Sequence, residues 1–586
     1  MITLGVTDGH TATACLMRDG KLLGMVSEER FNRKKGWAGF PVQSVDWLLQ
    51  NNDVRPADLD FVTVSSLVQP MLDLGSADRS LLRRMVRLAS RLASSAVTSP
   101  AVVKNYVNYF SKRRDLEPVK EFLRRCGQQT QLRVVEHHTT HAATAYYPSP
   151  FFSPDEKMLV ITLDGSGDGL CGTVSIGEKF GLTRLAALPS YHSIGDFYMR
   201  LTQYMAMKPL EHEYKVMGLA PYAPEEWADK AYAVMKEFYG LTADGLGFEN
   251  RTGRWSLDLV PYIEEKMRGH RFDCVAAAAQ RLVEEVVVPF VRNWVKTTGI
   301  RKVGCAGGVF MNVKMNMLIS QLPEIEQIFF MPSGGDESTA YGAALHTYAE
   351  DCVRAGATPE IQPLEQLYLG PEFNDEAALA ELQKNTGTLE WMKPADLPGT
   401  AAQLLVDNMI LARMVGRAEF GARSLGNRTI IANPSDPRNV RNINRAIKMR
   451  DFWMPFCPTV LAERRHDYTV NPKDIPARYM VNAFESTPLA FRELVCGLHP
   501  FDLTCRPQFI SELENPGWYA LVKAFEKRTG IGGVMNTSFN LHGEPIVGTP
   551  ADAISTLVRS EIDYLILGSY LVWKKGHRER PEAGAA

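Results

Sequence analysis

The sequence predicts an α/β chain of two domains, the first of them internally duplicated. Three observations carry this expectation. The chain has 586 residues, more than one hydrophobic core accommodates. An apolar strand that ends in acid and glycine and then turns back occurs twice, near residues 2–28 and 158–177. Helical patterns fill the intervals between the strand patterns, as layered α/β folds require.

The elements follow in order. "ITLGVTDGH", "TACLMRD" and "LLGMVSEE" read as three strands joined at Asp8-Gly9 and Asp19-Gly20, because Asp-Gly between apolar runs is a strong hairpin signal. "FPVQSVDWLLQNN" has helical spacing. "MLVITLDGSGDGLCGTVSIG" repeats the strand–acid/glycine–strand unit. Two such units in one domain predict a nucleotide-binding fold of the actin and sugar-kinase type. "CVAAAAQRLVEEVVVPFVRNWVKTTG" reads as a helix broken at Pro289. "KVGCAGGVFMN" reads as a buried strand entering a glycine turn, and "IFFMPSGGDESTAYGAALHTY" as strand, glycine turn and helix. "RAGATPEIQPLEQ" has breaker residues and little periodicity. The division expected there gives a first domain at 1–362 and a second α/β domain at 363–586.

Composition excludes several classes. Net charge is −2, with 45% hydrophobic and 23% charged residues. Nothing there calls for nucleic acid or an anionic membrane as partner. No apolar run approaches the roughly 20 residues of a spanning helix, and the first residues do not read as a secretory signal. Nine scattered cysteines without Cys-x-x-Cys point away from zinc ribbons and toward a reducing cytoplasm. In 79–94, Arg79, Arg83, Arg87 and Arg91 form an i, i+4 stripe. A solvated basic face explains it most simply. A helical insertion or flap at about 75–115 beside an anionic ligand, and membrane-surface binding, are the other readings.

"EHHTTHAATAYYPSPF" (136–151) places three histidines in five positions, of twelve in the chain. On a helix, His137 and His141 share a face and can converge on one ion, whereas His138 points elsewhere. Such pairs also serve packing. Asp164, ending the second hairpin's strand, and Asp336, in "SGGDES", lie at turns that converge in this kind of fold. Two histidines with aspartates suit Fe(II), Mn(II) or Zn(II) better than Ca(II).

The motifs "DGHTATACLMRDGKLLGMVSEERFNRKK", "EHHTTHAATAYYPSPF", "LDGSGDG", "EHEYKVMGLAPY", "GGVFMNVKMN", "PSGGDES", "EFGARSLGNRTIIANP" and "MNTSFNLHGEPIV" occur in this order across both domains. Together they resemble the O-carbamoyltransferase family of nodulation protein U and the tobramycin carbamoyltransferase. The resemblance implies an N-terminal domain similar to the TsaD-type tRNA threonylcarbamoyl transferases and a YrdC-like C-terminal domain. It implies that carbamoyl phosphate and ATP, with Mg²⁺, give carbamoyladenylate in the second domain. A hydroxyl of a small natural product, such as an antibiotic, then takes the carbamoyl group in the first. The implied metal is iron(II), held by His137, His141, Asp164 and Asp336.

Residue roles follow from chemistry and resemblance together. The glycines at 165, 167, 307, 308, 334 and 335 let backbone N–H groups approach a nucleotide, and Asn312 and Asn316 are candidates for ribose or base. His10, at the first hairpin's tip, suits general-base work near neutral pH; a histidine that merely closes a turn is the plain alternative. Lys35 and Lys215 are further catalytic candidates. Arg423, Arg428 and Lys448 suit a phosphate, with Asn536 and Ser538 as neutral donors. Relatives show Arg-Pro-Phe where this chain has Met454-Pro455-Phe456, so a phosphate-binding arginine is absent or replaced, with Arg450 as the substitute. A sugar-kinase-like phosphotransferase and a catalytically inactive nucleotide-binding protein are the competing functions.

Overall fold

The computed structural model describes residues 1–69 and 100–576. The arginine stripe of 79–94 lies outside the described residues. Of the expected insertion at about 75–115, the helix Pro100–Ser111 is described. Two units result: Met1–Glu28 with Gly36–Leu364, and Glu29–Lys35 with Glu365–Ala586. The sequence division placed 29–35 in the first domain.

The first unit contains the same sheet twice. Strands Ile2–Thr7, Thr13–Arg18 and Lys21–Ser27 form an antiparallel meander. Phe61–Ser65 pairs in parallel with the first of them, and Gln131–Val135 in parallel with Phe61–Ser65. In the second sheet, Met158–Gly167, Leu170–Glu178 and Gly181–Pro189 form the meander. Lys302–Ala306 and Gln327–Phe330 extend it in parallel. The two five-stranded orders are identical from meander to crossover strands, so the duplication read from two hairpins is present in the topology. Asp-Gly makes the tight second turn of the first meander, with Asp19 at φ 48° and Gly20 at φ 78°, whereas residues 8–12 form a five-residue loop in which Thr11 takes φ 60°.

One expectation needs correction. The helix Phe272–Thr298 continues through Pro289. Proline forfeits one backbone bond, but the face carrying Val286, Val287, Phe290, Val291 and Trp294 is buried, and packing of that face holds the helix together.

The helix Thr339–Arg354 lies against both the strand Ile2–Thr7 and the helix His137–Tyr146. Its approach is unusually close. A Cβ on Gly342 would stand 1.9 Å from the Thr140 carbonyl oxygen, and one on Gly5 2.1 Å from that of Ala340. Only glycine fits at either contact.

The second unit is built on a mixed eight-stranded sheet. Its order is Leu389–Met392, Tyr570–Lys574, Tyr564–Leu567, Leu411–Met414, Arg428–Ala432, Gly533–Ser538, Cys457–Leu461 and Gln508–Ile510. Alternation along the strands sends Ile430, Ala432, Leu565 and Leu567 to one core, and Ile431, Tyr564 and Ile566 to the other. The helix Pro550–Val558 covers the first face; Leu397–Val406 and Pro516–Thr529 cover the second. The short stretch 29–35 is bound into this unit by its arginines. Arg30 donates to the Gly421 carbonyl at 2.7 Å. Arg33 donates to the Ile546 and Pro545 carbonyls at 2.6 and 2.9 Å.

The Gly342 contact predicts a measurable cost. Gly342→Ala should destabilise the first unit by about 1–3 kcal/mol, since an added methyl cannot be absorbed there without moving a helix. Chemical denaturation followed by tryptophan fluorescence reads this, and an unchanged transition would show that the helices part without cost.

Candidate functional site

Two centres of different chemistry emerge, one in each unit. The first is acidic and histidine-rich. Its helix, His137–Tyr146, begins at Glu136, whose carboxylate accepts from the backbone N–H groups of His138 and Thr139. That is ordinary N-capping. Asp168 completes the cap by accepting from the N–H of His137 at 2.8 Å, and it also accepts from the N–H groups of Leu67 and Val68, each at 2.8 Å. Small residues at Ala142, Ala143 and Ala145 allow the helix to be almost fully buried.

His137 and His141 are one helical turn apart, and their Nε2 atoms stand 3.1 Å apart. The Asp164 carboxylate is 3.4 Å from His137 Nε2. Asp336 Oδ1 is 3.6 Å from His137 Nε2 and 3.5 Å from His141 Nε2. Four ligand atoms from these residues lie within 4.8 Å of one another. A tetrahedral ion with bonds of about 2.1 Å spaces its ligands by about 3.4 Å, so the donor set fits a divalent transition metal. Two further observations agree. Asp336 Oδ1 is buried with no hydrogen-bond partner, which is costly unless a cation satisfies it. Burial alone would depress the His137 imidazole, yet Asp336 and Asp164 outweigh burial and push it up to about 10. The cage therefore favours a positive charge.

The surroundings aim these groups. Ser66 Oγ lies 3.0 Å from His137 Nδ1 and leaves Nε2 for the cage. Asp164 Oδ1 accepts from the Gly308 N–H at 2.8 Å. Gly307, at φ +108°, has no room for a Cβ, which would stand 2.1 Å from the Leu163 carbonyl oxygen. Its N–H donates to the Gly334 carbonyl at 2.9 Å, which ties this turn to the one leading through Gly335 to Asp336. Gly167 packs against the His137 ring, where a Cβ would overlap. Gly165 lies farther out, beside Asp196. His138 takes no part in the cage. Its Nδ1 is 2.9 Å from Thr162 Oγ1, and burial, with His137 beside it, lowers the ring to about 3.

His10 stands on the first meander's tip, next to Thr11 at φ 60°. The tip is linked to the cage. Asp8 accepts from Arg114 at 2.7 Å in a buried ion pair, Arg114 donates to the Ser66 carbonyl, and Ser66 holds His137. Asn312 and Asn316 differ from expectation. Asn312 caps the helix Val313–Gln321 and exchanges two bonds with Gln280. Asn316 is buried and donates to the Phe310 carbonyl. Lys215 is half-buried on the helix Glu213–Leu219.

The second centre is cationic. Lys448 is 3% exposed. Its Nζ donates to Ser538 Oγ at 3.1 Å, Asn540 O at 3.2 Å and Asn540 Oδ1 at 2.8 Å. Burial, Arg450 and Lys35 hold it well below the usual lysine range. Lys35 thus lies close enough to Lys448 to act on its charge. Arg450 donates to Thr537 Oγ1 at 3.0 Å and to the Pro455 carbonyl, and its guanidinium lies 4.9 Å from the Phe456 ring centroid. Arg506 directs its fork at Cys457 Sγ, at 2.8 and 3.3 Å. Cys457 is the register partner of Asn536, which places the arginine on the face that carries Ser538. Met454 is buried.

Two expected phosphate ligands are otherwise engaged. Arg428 directs both terminal nitrogens to the carbonyls of Val415, Asn427, Pro371 and Gly416. It is a buried clamp, and burial lowers it to about 10. Asn536 exchanges bonds with Ser424, donates to Thr459 Oγ1 and accepts from Thr429, so it staples adjacent strands. Arg423 is half-buried beside Ser424. Asn540 and Arg506 escaped the sequence reading, as did Asp8, Asp168 and Arg114. The acids stand inside quoted motifs and were legible as such; Arg114 and Arg506 carry no local signal.

The cage predicts a bound ion. Protein purified without chelator, or reconstituted anaerobically with Fe(II), Mn(II) or Zn(II), should hold about one ion per chain by plasma mass spectrometry. His141→Ala/Asp336→Asn should lose it with unchanged far-ultraviolet circular dichroism. A wild-type chain that takes up none of the three would contradict the assignment.

Comparison with known proteins agrees along the whole chain. The family described as Carbamoyltransferase N-terminus matches residues 3–345, and Carbamoyltransferase C-terminus matches residues 402–574. A protein of Methanocaldococcus jannaschii is 31% identical over 97% of this chain and 99% of its own length. Nodulation protein NolNO of Sinorhizobium fredii is 30% identical over 97% of this chain and 79% of its own length. Nodulation protein NolO of Bradyrhizobium diazoefficiens is 32% identical over 75% and 79%. Among solved structures, HypF of T. kodakarensis covers 61% of this chain and 49% of its own at 15% identity, with a TM-score of 0.33. A ROK hexokinase from Thermus thermophilus covers 61% and 100% at 11% identity, with a TM-score of 0.30. At that distance neither alignment bears on the reaction. The sequence matches span both units and nearly all of the chain, and the protein belongs to the carbamoyltransferase family.

Proposed function

We propose that the chain is an ATP-dependent O-carbamoyltransferase that works in two steps. The observation that carries the first step is Lys448, a buried lysine amine whose bonds all go to neutral oxygens. A buried cation without a carboxylate is costly, and an anionic ligand relieves that cost. Arg450 and Arg506 add forked donors suited to phosphate oxygens. Carbamoyl phosphate and ATP are such ligands. With one water they give carbamoyladenylate, phosphate and pyrophosphate. A carbamoyl carbonyl is a poor electrophile because its nitrogen donates into it, and the AMP leaving group compensates.

The second step is assigned to the first unit. The acceptor hydroxyl loses its proton to His10 and attacks the carbamoyl carbon, and AMP departs with the electron pair of the broken C–O bond. His137, His141, Asp164 and Asp336 would hold a divalent ion, iron(II) by family resemblance. When bound, it would supply positive charge facing the departing phosphate. The acceptor is read as a small hydroxylated natural product, such as an antibiotic or a signalling sugar. A cytoplasmic setting is supported by nine free cysteines, seven of them buried. No described helix is long and apolar enough to cross a membrane.

The test omits the acceptor. Purified protein with carbamoyl phosphate, ATP and Mg²⁺ should release pyrophosphate and form carbamoyladenylate by mass spectrometry. Lys448→Met should slow this by about 10²–10³-fold, the usual loss for one preorganised donor, whereas Asp336→Asn should not. Release of ADP instead would indicate a kinase, and no turnover of folded, metal-loaded protein would overturn the reading.

A further inference from the structure

The loop at 205–212, between the helices Ile194–Tyr204 and Glu213–Leu219, is built against backbone preference. Ala206 and Leu210 have φ of 58° and 66°, values that cost non-glycine residues energy and accumulate where function requires them. The loop's own side chains hold it there. His212 Nδ1 accepts from the Lys208 N–H at 3.1 Å, and the Glu213 carboxylate accepts from the Leu210 N–H at 2.7 Å. Two of the three polar residues in "EHE" thus shape the loop. The third, Glu211, has a side chain only 11% exposed, with the 60% exposed Lys208 as ion-pair partner.

Glu211 and His10 both approach Gly36. A Cβ on Gly36, which sits at φ +65°, would lie 3.0 Å from His10 Nε2 and 3.9 Å from Glu211 Oε1. Imidazole and carboxylate therefore border the same glycine, and a side chain there would crowd the imidazole. The Gly36 stretch is strapped to the meander tip on either side of His10. The Ala12 N–H donates to the Trp37 carbonyl at 2.8 Å, and the Gly39 N–H to the Asp8 carbonyl at 2.9 Å. Asp8 is paired with Arg114, and Lys208 with Glu211.

We propose that Glu211 is a positioning residue for His10, an inference that rests on the base role proposed above. A carboxylate that accepts from Nε2–H fixes the tautomer and leaves Nδ1 bare as proton acceptor. The acceptor hydroxyl's proton goes to Nδ1, its oxygen forms the new bond to the carbamoyl carbon, and the C–O bond to AMP breaks. The imidazolium formed then faces the Glu211 carboxylate.

The experiment uses the full chain with ¹⁵N-labelled histidine. Long-range ¹H–¹⁵N correlation reads each ring's tautomer, and His10→Asn identifies the signal. The wild type and Glu211→Gln, which keeps an acceptor oxygen, should show His10 as the Nε2–H form; Glu211→Leu should shift it toward a mixture. With an acceptor found by screening hydroxylated natural products, Glu211→Leu should lower kcat by about 10–100-fold, the size usual for a histidine's outer partner. Glu211→Gln should restore most of it, and acceptor-free adenylate formation should not change. An unchanged tautomer in Glu211→Leu, or a wild-type ring in the Nδ1–H form, would overturn the inference while leaving His10 as base. Wild-type transfer rates in His10→Asn would overturn the base role itself.

Discussion

The contact between Gly342 and the Thr140 carbonyl is the constraint on which the first centre depends. It brings the helix Thr339–Arg354 against the helix His137–Tyr146 at a distance no side chain permits. Asp336 opens the turn before one helix, and the two histidines occupy the first two turns of the other. Closing the two helices therefore drives a carboxylate toward two imidazoles. Asp164 arrives from the second sheet, held by the Gly308 N–H. A cage of closely spaced acids and buried histidines is unfavourable by itself; close packing holds its walls, and a cation would satisfy its charge.

The second centre reverses the electrostatics. Lys448, Arg450, Lys35 and Arg506 stand among hydroxyls and amides. One unit is thus organised to want a cation and the other an anion. The proposed chemistry divides in the same way, since making an adenylate requires gathering phosphates, and using it requires a base and a cation near the leaving group. The stretch 29–35 contributes Lys35 to the second unit, although both its flanks belong to the first. The chain thus commits a residue of its N-terminal motif to the other centre.

Much of this was legible because the signals were local. Asp-Gly turns marked the meanders, and a histidine pair at helical spacing with two turn acids marked the cage. Reading failed where one composition serves two purposes. Arginine between glycines reads as a phosphate cradle, yet Arg428 clamps four carbonyls, which a glycine-rich turn equally exposes. Asn536 looked like a free donor because its partners, Ser424, Thr429 and Thr459, come from neighbouring strands and not from its own. Arg506 and Arg114 were invisible for the same reason: their partners are 46 residues or more away in the chain. Lys35 falls in the second unit because 29–35 packs there while both its flanks belong to the first, which a linear division of the sequence does not show.

The division of labour between the two centres is tested most directly by bypassing the first step. Synthetic carbamoyladenylate would be supplied to Lys448→Met protein together with an acceptor. The account predicts acceptor carbamoylation near the wild-type rate from the adenylate and almost none from carbamoyl phosphate and ATP, with Asp164→Asn still forming adenylate from carbamoyl phosphate and ATP but carbamoylating the acceptor from neither source. Equal loss of both activities in Lys448→Met would contradict it.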